Sequence, residues 1–186
     1  REVPRELFLP ESLRPHARID APLPLGGGPT CSQPTTVRNM LMLLDPRPGQ
    51  RALDVGSGSG WTTGLLARLT APAGEVIGVE LQKRLVESAR RSLDAVPALS
   101  EPDSSSWWVQ TATPGVIGAP DHGRYDRILV SADARGRIPP GLVAQLADGG
   151  ILVCPVDGVM TRLHMIAGHP RTSQHGQYVF VPLEEG

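Results

Sequence analysis

One segment in the first half of the chain constrains the fold more than any other. Residues 52–55 are typical of a short buried strand, residues 56–60 alternate glycine with serine, and residues 61–70 have the composition of a helix. Glycine lets the backbone approach a ligand closely, and the helix that follows presents its positive end. The order of strand, glycine loop and helix therefore predicts a βα unit whose loop binds a nucleotide-like ligand.

The remaining sequence repeats this alternation of strands and helices. Apolar residues at helical spacing predict helices around residues 37–44 and 81–93, and residues 140–147 predict a short helix that Gly149-Gly150 ends. Strands are predicted at 76–80, 107–109, 126–131 and 151–156, and an antiparallel pair at 162–167 and 178–183. The pattern indicates an α/β, Rossmann-like fold: a mostly parallel sheet with helices on both faces and a C-terminal antiparallel hairpin.

The composition excludes several classes of function. Eighteen basic and nineteen acidic residues give a formal charge of −1, so no global positive field attracts nucleic acid. The two cysteines and five histidines lack metal-ligand spacing, and we predict no metal site. No apolar run is long enough to cross a bilayer, and the N-terminal residues lack the apolar core of a signal peptide. We expect a cytoplasmic monomer with no nucleic-acid or membrane partner.

The residues around the glycine loop favour S-adenosylmethionine over a nicotinamide dinucleotide. The dinucleotide fingerprint needs a glycine three residues after Gly58, where this chain has Trp61. Asp54 would repel a pyrophosphate, but it could order the loop or attract the amino group of S-adenosylmethionine. Glu80 ends the next strand, where it is placed to accept hydrogen bonds from ribose hydroxyls. The predicted cofactor-binding residues are Asp54, Gly56, Ser57, Gly58, Ser59, Gly60, Trp61 and Glu80.

Four segments resemble the protein-L-isoaspartate O-methyltransferases and together extend over almost the whole chain. Residues 3–10 are similar to the family's opening arm, 22–34 to its substrate and catalytic loop, 53–61 to its cofactor motif and 180–183 to its closing strand. Many methyltransferases share the cofactor motif, whereas the segment 22–34 is specific to this family. The resemblance implies a class I methyltransferase that converts S-adenosylmethionine to S-adenosylhomocysteine while esterifying the free carboxylate of isoaspartyl residues in damaged proteins or peptides, a step in protein repair.

The resemblance also implies roles for individual residues. Ser32 matches the family's active-site serine, expected to hold a substrate carboxylate oxygen by a hydrogen bond. The backbone of the preceding loop is expected to bind the peptide, and that of Val181 to pair with it. The implied substrate-binding residues are Leu25, Gly26, Gly28, Thr30 and Val181, and the further cofactor-binding residues are Leu81, Pro114 and Gly115.

Several of these residues also have simpler interpretations. Ser32 precedes Gln33-Pro34 and an amphipathic helix, so it is equally a candidate N-cap. Val181 is an apolar strand residue of the kind found in cores. Cys31 is a candidate nucleophile but fits a small packing residue better, because no basic neighbour is predicted. The Trp107-Trp108 pair is either a stacking platform or core, and Arg135 and Arg137 either contact acidic peptides or lie in a solvated loop.

The chain departs from the family's pattern at three positions that bear on function. Gly27 and Pro29 replace a histidine and a glutamine, and Pro114 replaces an acid expected near the adenine. These departures leave two alternatives open: a carboxylate methyltransferase for a different, dedicated peptide, and a catalytically weak module that binds cofactor or peptide. We expect a single domain, with residues 1–31 as arm and substrate loop, 32–160 as cofactor-binding core and 161–186 as C-terminal strands.

Overall fold

A computed structural model describes residues 2–184; Arg1, in the predicted arm, and Glu185 and Gly186, in the predicted C-terminal strands, lie outside the described residues. The helices are α1 (Pro34–Leu44), α2 (Trp61–Thr70), α3 (Lys83–Asp94) and α4 (Pro140–Ala144). The strands are β1 (Leu23–Pro24), β2 (Thr30–Cys31), β3 (Arg51–Val55), β4 (Glu75–Glu80), β5 (Ser106–Thr111), β6 (Tyr125–Val130), β7 (Leu146–Val156), β8 (Val159–Ile166) and β9 (His169–Gln177). Short 3-10 helices span Arg5–Phe8, Glu11–His16, Pro97–Leu99 and Pro120–His122.

Seven strands form one sheet in the order β5-β4-β3-β6-β7-β8-β9. The five strands from β5 to β7 are parallel, whereas β8 and β9 are each antiparallel to their neighbour. The chain winds outward from β3 through β4 to β5 and then returns to place β6 on the other side of β3. The carboxyl ends of β3 and β6 therefore form a topological switch point, where open α/β sheets bind their ligands. The predicted fold class is confirmed.

Apolar residues bury both faces of this sheet. Successive residues of β3, Ala52 and Leu53, belong to different core clusters because side chains alternate across a strand. The first cluster includes side chains of α1, α2 and α3, and the second is closed by Leu142 of α4 and by the segment around Ala119. Within residues 2–184, no helix is long and apolar enough to cross a bilayer.

The N-terminal arm packs on the domain through its apolar residues. Val3 and Phe8 are buried in the first core cluster. The Asp20 side chain accepts hydrogen bonds from the N-terminal turn of α1. Its Oδ1 accepts one from the Thr35 backbone N–H at 2.8 Å, and its Oδ2 accepts one from the Thr35 hydroxyl at 2.7 Å. The arm thus supplies the acceptor that an exposed helix N-terminus needs.

The predicted helix at 140–147, ended by Gly149-Gly150, is too long. The helix ends at Ala144 and β7 begins at Leu146, so both glycines lie inside a strand. Between the pairs Tyr125–Leu146 and Arg127–Ile151 the register shifts, and Gly149 has a φ of 76°. The glycines permit an irregularity in the strand. In the sequence alone, glycines with this role look the same as glycines that end a helix.

The terminal hairpin exists, but its second strand lies earlier than predicted. The strand β9 covers His169–Gln177, which lie between the two predicted strands, and residues 178–183 are not part of the pair. Ala167 and Gly168, with φ of 50° and 76°, form the tight turn between β8 and β9. Almost every residue of β9 is exposed, so the strand has no hydrophobic alternation that would predict it.

Candidate active site

A cavity of about 630 Å³ lies at the switch point between β3 and β6. One side is formed by the glycine loop and the end of β4, and another by the arm segment 28–33. The remaining walls come from Ser131 and Ala132 after β6 and from the C-terminal segment 179–184. The cavity therefore joins the predicted cofactor loop to the predicted substrate loop.

The glycine loop has a backbone that only glycine adopts easily. Gly56, Gly58 and Gly60 have φ of 75°, 53° and 86°. Gly60 does not line the cavity; a Cβ atom built on it would lie 2.9 Å from the Cβ of Ala89 in α3. Gly60 therefore permits α2 and α3 to approach each other, while Gly56, Ser57, Gly58, Ser59 and Trp61 line the cavity.

Asp54 lies beneath the loop and outside the cavity lining. Its Oδ2 accepts hydrogen bonds from the hydroxyls of Thr62 and Thr63, both at 2.7 Å, which ties β3 to the start of α2. Burial raises the pKa of Asp54 to about 6, against the opposing effect of the two threonine hydroxyls. Of the two roles predicted for this carboxylate, the contacts support the ordering of the loop.

Glu80 holds the other side of the same loop. Its Oε2 accepts a hydrogen bond from the Gly58 N–H and its Oε1 accepts one from the Gln82 N–H, both at 2.9 Å. Each carboxylate oxygen has a second lone pair, so Glu80, which lines the cavity, retains acceptor capacity for ligand hydroxyls. Leu81 also lines the cavity and is 40% exposed.

Two serine hydroxyls identify a polar subsite. Ser57 and Ser131 line the cavity, and their Oγ atoms are buried without a hydrogen-bond partner among the described residues. The Oδ1 atom of Asp54 is likewise buried and unpartnered. Buried polar atoms normally have partners, so the two serine hydroxyls in the cavity lining fit a polar ligand near the end of β3.

Pro114 and Gly115 do not contribute to the cavity. The Val116 N–H donates to the Thr113 carbonyl at 3.0 Å, which closes a turn and leaves Pro114 and Gly115 exposed at its tip. The neighbours that do line the cavity are Ala112, Val116, Ile117 and Gly118. The structure thus gives no support to Pro114 and Gly115 as cofactor-binding residues.

The substrate loop is the tip of the β1–β2 hairpin. The Leu25 N–H donates to the Pro29 carbonyl at 2.9 Å, and Arg84 of α3 donates to the carbonyls of Leu25 and Gly26 at 3.3 and 2.5 Å. Leu25 and Gly26 are outside the cavity lining, whereas Gly28 and Thr30 are part of it. Of the predicted substrate-binding residues in this loop, Gly28 and Thr30 therefore face the cavity and Leu25 and Gly26 do not.

Ser32 lines the cavity and does not cap α1. The N-cap residue is Gln33, with no side-chain capping bond, and the Thr35 N–H is satisfied by Asp20 instead. The backbone carbonyl of Ser32 accepts a hydrogen bond from Arg5 at 2.8 Å. The N-cap interpretation is wrong, and the hydroxyl is available to a ligand in the cavity.

Val181 also faces the cavity, which corrects its interpretation as a core residue. Its side chain is 54% exposed, and its carbonyl accepts a hydrogen bond from the Asp133 N–H at 2.7 Å. The Leu183 N–H in turn donates to the Asp133 carbonyl at 2.8 Å. These bonds hold residues 181–183 along the edge of the cavity.

The other candidate residues lie elsewhere. Cys31 lines the cavity but is buried among Leu9, Ala17 and Leu23, consistent with a packing residue. Trp107 and Trp108 are half-buried and pack against the two core clusters. Arg135 and Arg137 are exposed and outside the cavity lining. Residues 2–184 contain no group of His, Cys, Asp or Glu that could hold a metal ion.

Sequence reasoning missed Ser131 of the cavity lining, and it missed Arg5, which lies outside the lining but contacts residues that form it. Arg5 is only 5% exposed, and the two terminal nitrogens of its guanidinium lie within hydrogen-bond distance of five backbone carbonyls of the arm and the substrate loop. An arginine in a proline-rich arm is ordinarily solvated. The similarity of residues 3–10 to the family's opening arm was the available signal for its importance.

The comparisons with known proteins cover almost the whole chain, including the residues that form this cavity. The family model described as Protein-L-isoaspartate(D-aspartate) O-methyltransferase (PCMT) matches residues 1–186. The chain is 41% identical over 192 residues to the protein-L-isoaspartate O-methyltransferase of Methanopyrus kandleri, covering 100% of this chain and 82% of that protein. It is 40% identical over 195 residues to the enzyme of the same name from Aeropyrum pernix, covering 97% of this chain and 69% of that protein.

A solved structure agrees with the sequence comparisons. A putative protein-L-isoaspartate O-methyltransferase from Plasmodium falciparum, in complex with S-adenosyl-L-homocysteine, superposes with a TM-score of 0.82 at 27% identity. The match covers 100% of this chain and 88% of that one. The fold, the cavity that joins a glycine loop to a serine-bearing substrate loop, and these matches agree: the chain belongs to the protein-L-isoaspartate(D-aspartate) O-methyltransferase family.

Proposed function

We propose that this chain uses S-adenosylmethionine to methylate the free carboxylate of isoaspartyl residues in damaged proteins or peptides. The observation that carries the proposal is the single cavity that Gly58 and Glu80 line on one side and Thr30 and Ser32 on the other. Family membership and 41% identity to a protein-L-isoaspartate O-methyltransferase support it. The methyl ester then favours succinimide formation, which begins repair of the isoaspartyl link.

The residues of the cavity fit S-adenosylmethionine. Glu80 has free lone pairs for the ribose hydroxyls, and the glycine loop leaves the backbone accessible. The unpartnered hydroxyls of Ser57 and Ser131, which line the cavity, suit the amino-acid part of this cofactor. When bound, S-adenosylmethionine supplies an electrophilic methyl group on a sulfonium sulfur.

The reaction makes modest chemical demands on the chain. A carboxylate with a pKa near 4 is already ionised at neutral pH, so no general base has to remove a proton. Ser32 donates a hydrogen bond to one carboxylate oxygen and leaves the other free to take the methyl group. The C-terminal segment and Thr30 line the cavity, and a bound peptide would displace water from the reacting groups between them. Catalysis is therefore chiefly proximity and orientation.

The departures at Gly27, Pro29 and Pro114 are compatible with this function. Pro29 contributes its carbonyl to the loop turn and lines the cavity. Pro114 is on an exposed turn, so its lack of a carboxylate removes nothing from the cavity as it is formed here. The second proposal is that the chain acts on a dedicated peptide or is a module with weak turnover. Either alternative requires that isoaspartyl peptides react slowly or not at all.

The cellular location, the oligomeric state and the functional division of the chain are separate proposals. A cytoplasmic location agrees with the two free buried cysteines, and we expect a monomer there. Sedimentation tests the oligomeric state. The functional division into residues 1–31, 32–160 and 161–186 is tested by hydrogen exchange with and without cofactor.

Methyl transfer to matched peptides tests the proposed function. The protein is incubated with methyl-labelled S-adenosylmethionine and two peptides that differ only in an aspartyl or isoaspartyl link. We expect base-labile label in the isoaspartyl peptide alone. Label in neither peptide, with cofactor binding intact, would support the weak module, and label in a different carboxylate peptide would support the dedicated substrate.

A further inference from the structure

Arg5 contacts both halves of the active site, although neither its sequence context nor the proposed chemistry assigns it a role. We propose that Arg5 is a positioning residue that fixes the substrate loop relative to the cofactor loop, so that the substrate carboxylate approaches the methyl group in line. This inference rests on the proposed function for its kinetic consequence. Its structural consequence is independent of activity.

The guanidinium closes the base of the substrate hairpin. Before the hairpin, it donates to the carbonyls of Ala17, Ile19 and Ala21 at 3.2, 3.0 and 2.8 Å. After the hairpin, it donates to those of Cys31 and Ser32 at 3.0 and 2.8 Å. The Arg5 side chain therefore fixes the distance between the segment that enters the hairpin and the segment that leaves it.

The same guanidinium contacts the cofactor half of the site. Its central carbon lies 5.4 Å from the centroid of the Trp61 ring, within the range of a cation–π interaction. Trp61 begins α2 directly after the glycine loop and lines the cavity, and its Nε1 donates to the Val3 carbonyl at 3.2 Å. A shift of Arg5 would therefore move Ser32 relative to the loop that holds the cofactor.

Lysine cannot replace this arrangement. The planar guanidinium directs its donors along fixed directions to several acceptors, whereas the ammonium of lysine is a single point with three donors. Arg5→Lys keeps the positive charge but leaves some of the five carbonyls without their partner. A misplacement of about 1 Å can reduce a rate by about 100-fold, because proximity and orientation dominate this chemistry.

Arg68→Lys is the matched control. Arg68 also attaches the arm, because its Nε and Nη2 donate hydrogen bonds to the Glu2 carboxylate at 2.8 and 3.3 Å. Arg68 is on the surface and away from the hairpin. Both variants replace an arginine that anchors the same arm. Only Arg5 connects that arm to Ser32 and Trp61.

Three measurements on the full chain test the proposal. For Arg5→Lys we expect kcat/KM for an isoaspartyl peptide to fall by about 10- to 100-fold while the Kd of S-adenosylhomocysteine changes by less than about threefold. Amides of residues 22–32 should exchange hydrogen faster while those of residues 56–60 do not. Arg68→Lys should match the wild type in all three. If Arg5→Lys does not fold, the neutral variant Arg5→Gln is measured in the same way.

The outcomes are distinguishable from failure of the proposed function. A wild-type chain that methylates no isoaspartyl peptide contradicts that function, and the exchange of residues 22–32 still decides the role of Arg5. Unchanged exchange in this segment overturns the proposal, as does kcat/KM within about threefold of the wild type. A loss of kcat/KM accompanied by an equal loss of cofactor affinity and by faster exchange in residues 56–60 indicates a general structural role and also overturns it.

Discussion

Asp54 and Glu80 are at or near the ends of adjacent parallel strands and hold the glycine loop in different ways. Asp54 binds the threonines of α2 from below, while Glu80 binds the Gly58 N–H from the side of the cavity. The burial of Asp54 is complete, whereas Glu80 is open to a ligand. One carboxylate therefore orders the loop, and the other orders it and remains available for binding.

The raised pKa of Asp54 predicts a pH dependence of stability. The folded state keeps the proton up to about pH 6, whereas the unfolded chain loses it near 3.8. The free energy of unfolding should therefore fall between about pH 4 and pH 6, by up to about 3 kcal/mol from this group, and then level off. Denaturant unfolding of Asp54→Asn, which keeps an acceptor for both threonines, should lack this slope. The exposed variant Asp121→Asn serves as control, and a slope retained in Asp54→Asn would refute the assignment.

The hydroxyl of Ser32 should matter for rate and not for stability. Ser32→Ala removes a hydrogen bond to a charged carboxylate, worth about 1.5–3 kcal/mol, so kcat/KM should fall by about 10- to 100-fold. Because Ser32 does not cap α1, the thermal midpoint should change little. Ser12→Ala, in the exposed part of the arm, is the comparison variant. Equal losses of rate and stability would argue against a positioning role.

The helices and strands show why the glycine loop has its sequence. The loop begins where β3 ends, and the N–H groups of Gly56 and Ser57 both donate to the Val79 carbonyl of β4. Gly78 of β4 lies beneath it, and a Cβ atom there would be 2.9 Å from Thr63 Oγ1 and 3.2 Å from Ser57 Cβ. The small residues of the loop and Gly78 of β4 thus let the loop lie directly on the sheet.

A pair of glycine substitutions separates backbone strain from steric overlap. Gly60 and Gly49 have similar φ of 86° and 78°, but a Cβ atom on Gly60 meets Ala89 at 2.9 Å while one on Gly49 meets nothing within 4 Å. Both Gly→Ala variants should suffer the strain of a positive φ, about 1 kcal/mol, and Gly60→Ala should lose about 1–3 kcal/mol more from overpacking. Denaturant unfolding measures the difference. Equal losses in the two variants would show that the contact between α2 and α3 can relax.

The elements that the sequence predicted well are those with local signals. The bounds of α2 and the strands β3 and β4 follow from an apolar run, a glycine loop and helical spacing within about 30 residues. The strand β9 has no such signal because it is at the sheet edge with both faces exposed. The five partners of Arg5 lie 12 to 27 residues away and meet only after folding, so no local pattern indicated them.

At the scale of the whole molecule, the sheet order brings separate parts of the chain to one cavity. The switch between β3 and β6 opens the crevice, the arm closes one side of it, and the C-terminal segment returns from β9 to Asp133 along another. On the cofactor side, the lining residues of the glycine loop and the end of β4 lie where local sequence signals placed the predicted cofactor site, whereas Ala112, Val116 and Ser131 had no such signal. The substrate half is assembled from both ends of the described chain, and it was predicted through the family resemblance.

Tryptophan fluorescence should report ligand binding in this cavity. Of the three tryptophans, Trp61 lines the cavity, while Trp107 and Trp108 lie in β5 outside its lining. Titration with S-adenosylhomocysteine should change the emission of the wild type and of Trp107→Phe, and the change should be largely lost in Trp61→Phe. A full signal in Trp61→Phe would place the ligand elsewhere.

A crystal structure with S-adenosylhomocysteine and an isoaspartyl peptide tests most directly whether this one cavity joins cofactor to substrate. The account predicts the adenosyl group against residues 56–60 and Glu80, and a peptide carboxylate oxygen about 3 Å from the Ser32 hydroxyl. A peptide carboxylate far from Ser32, or a cofactor away from the glycine loop, would contradict it.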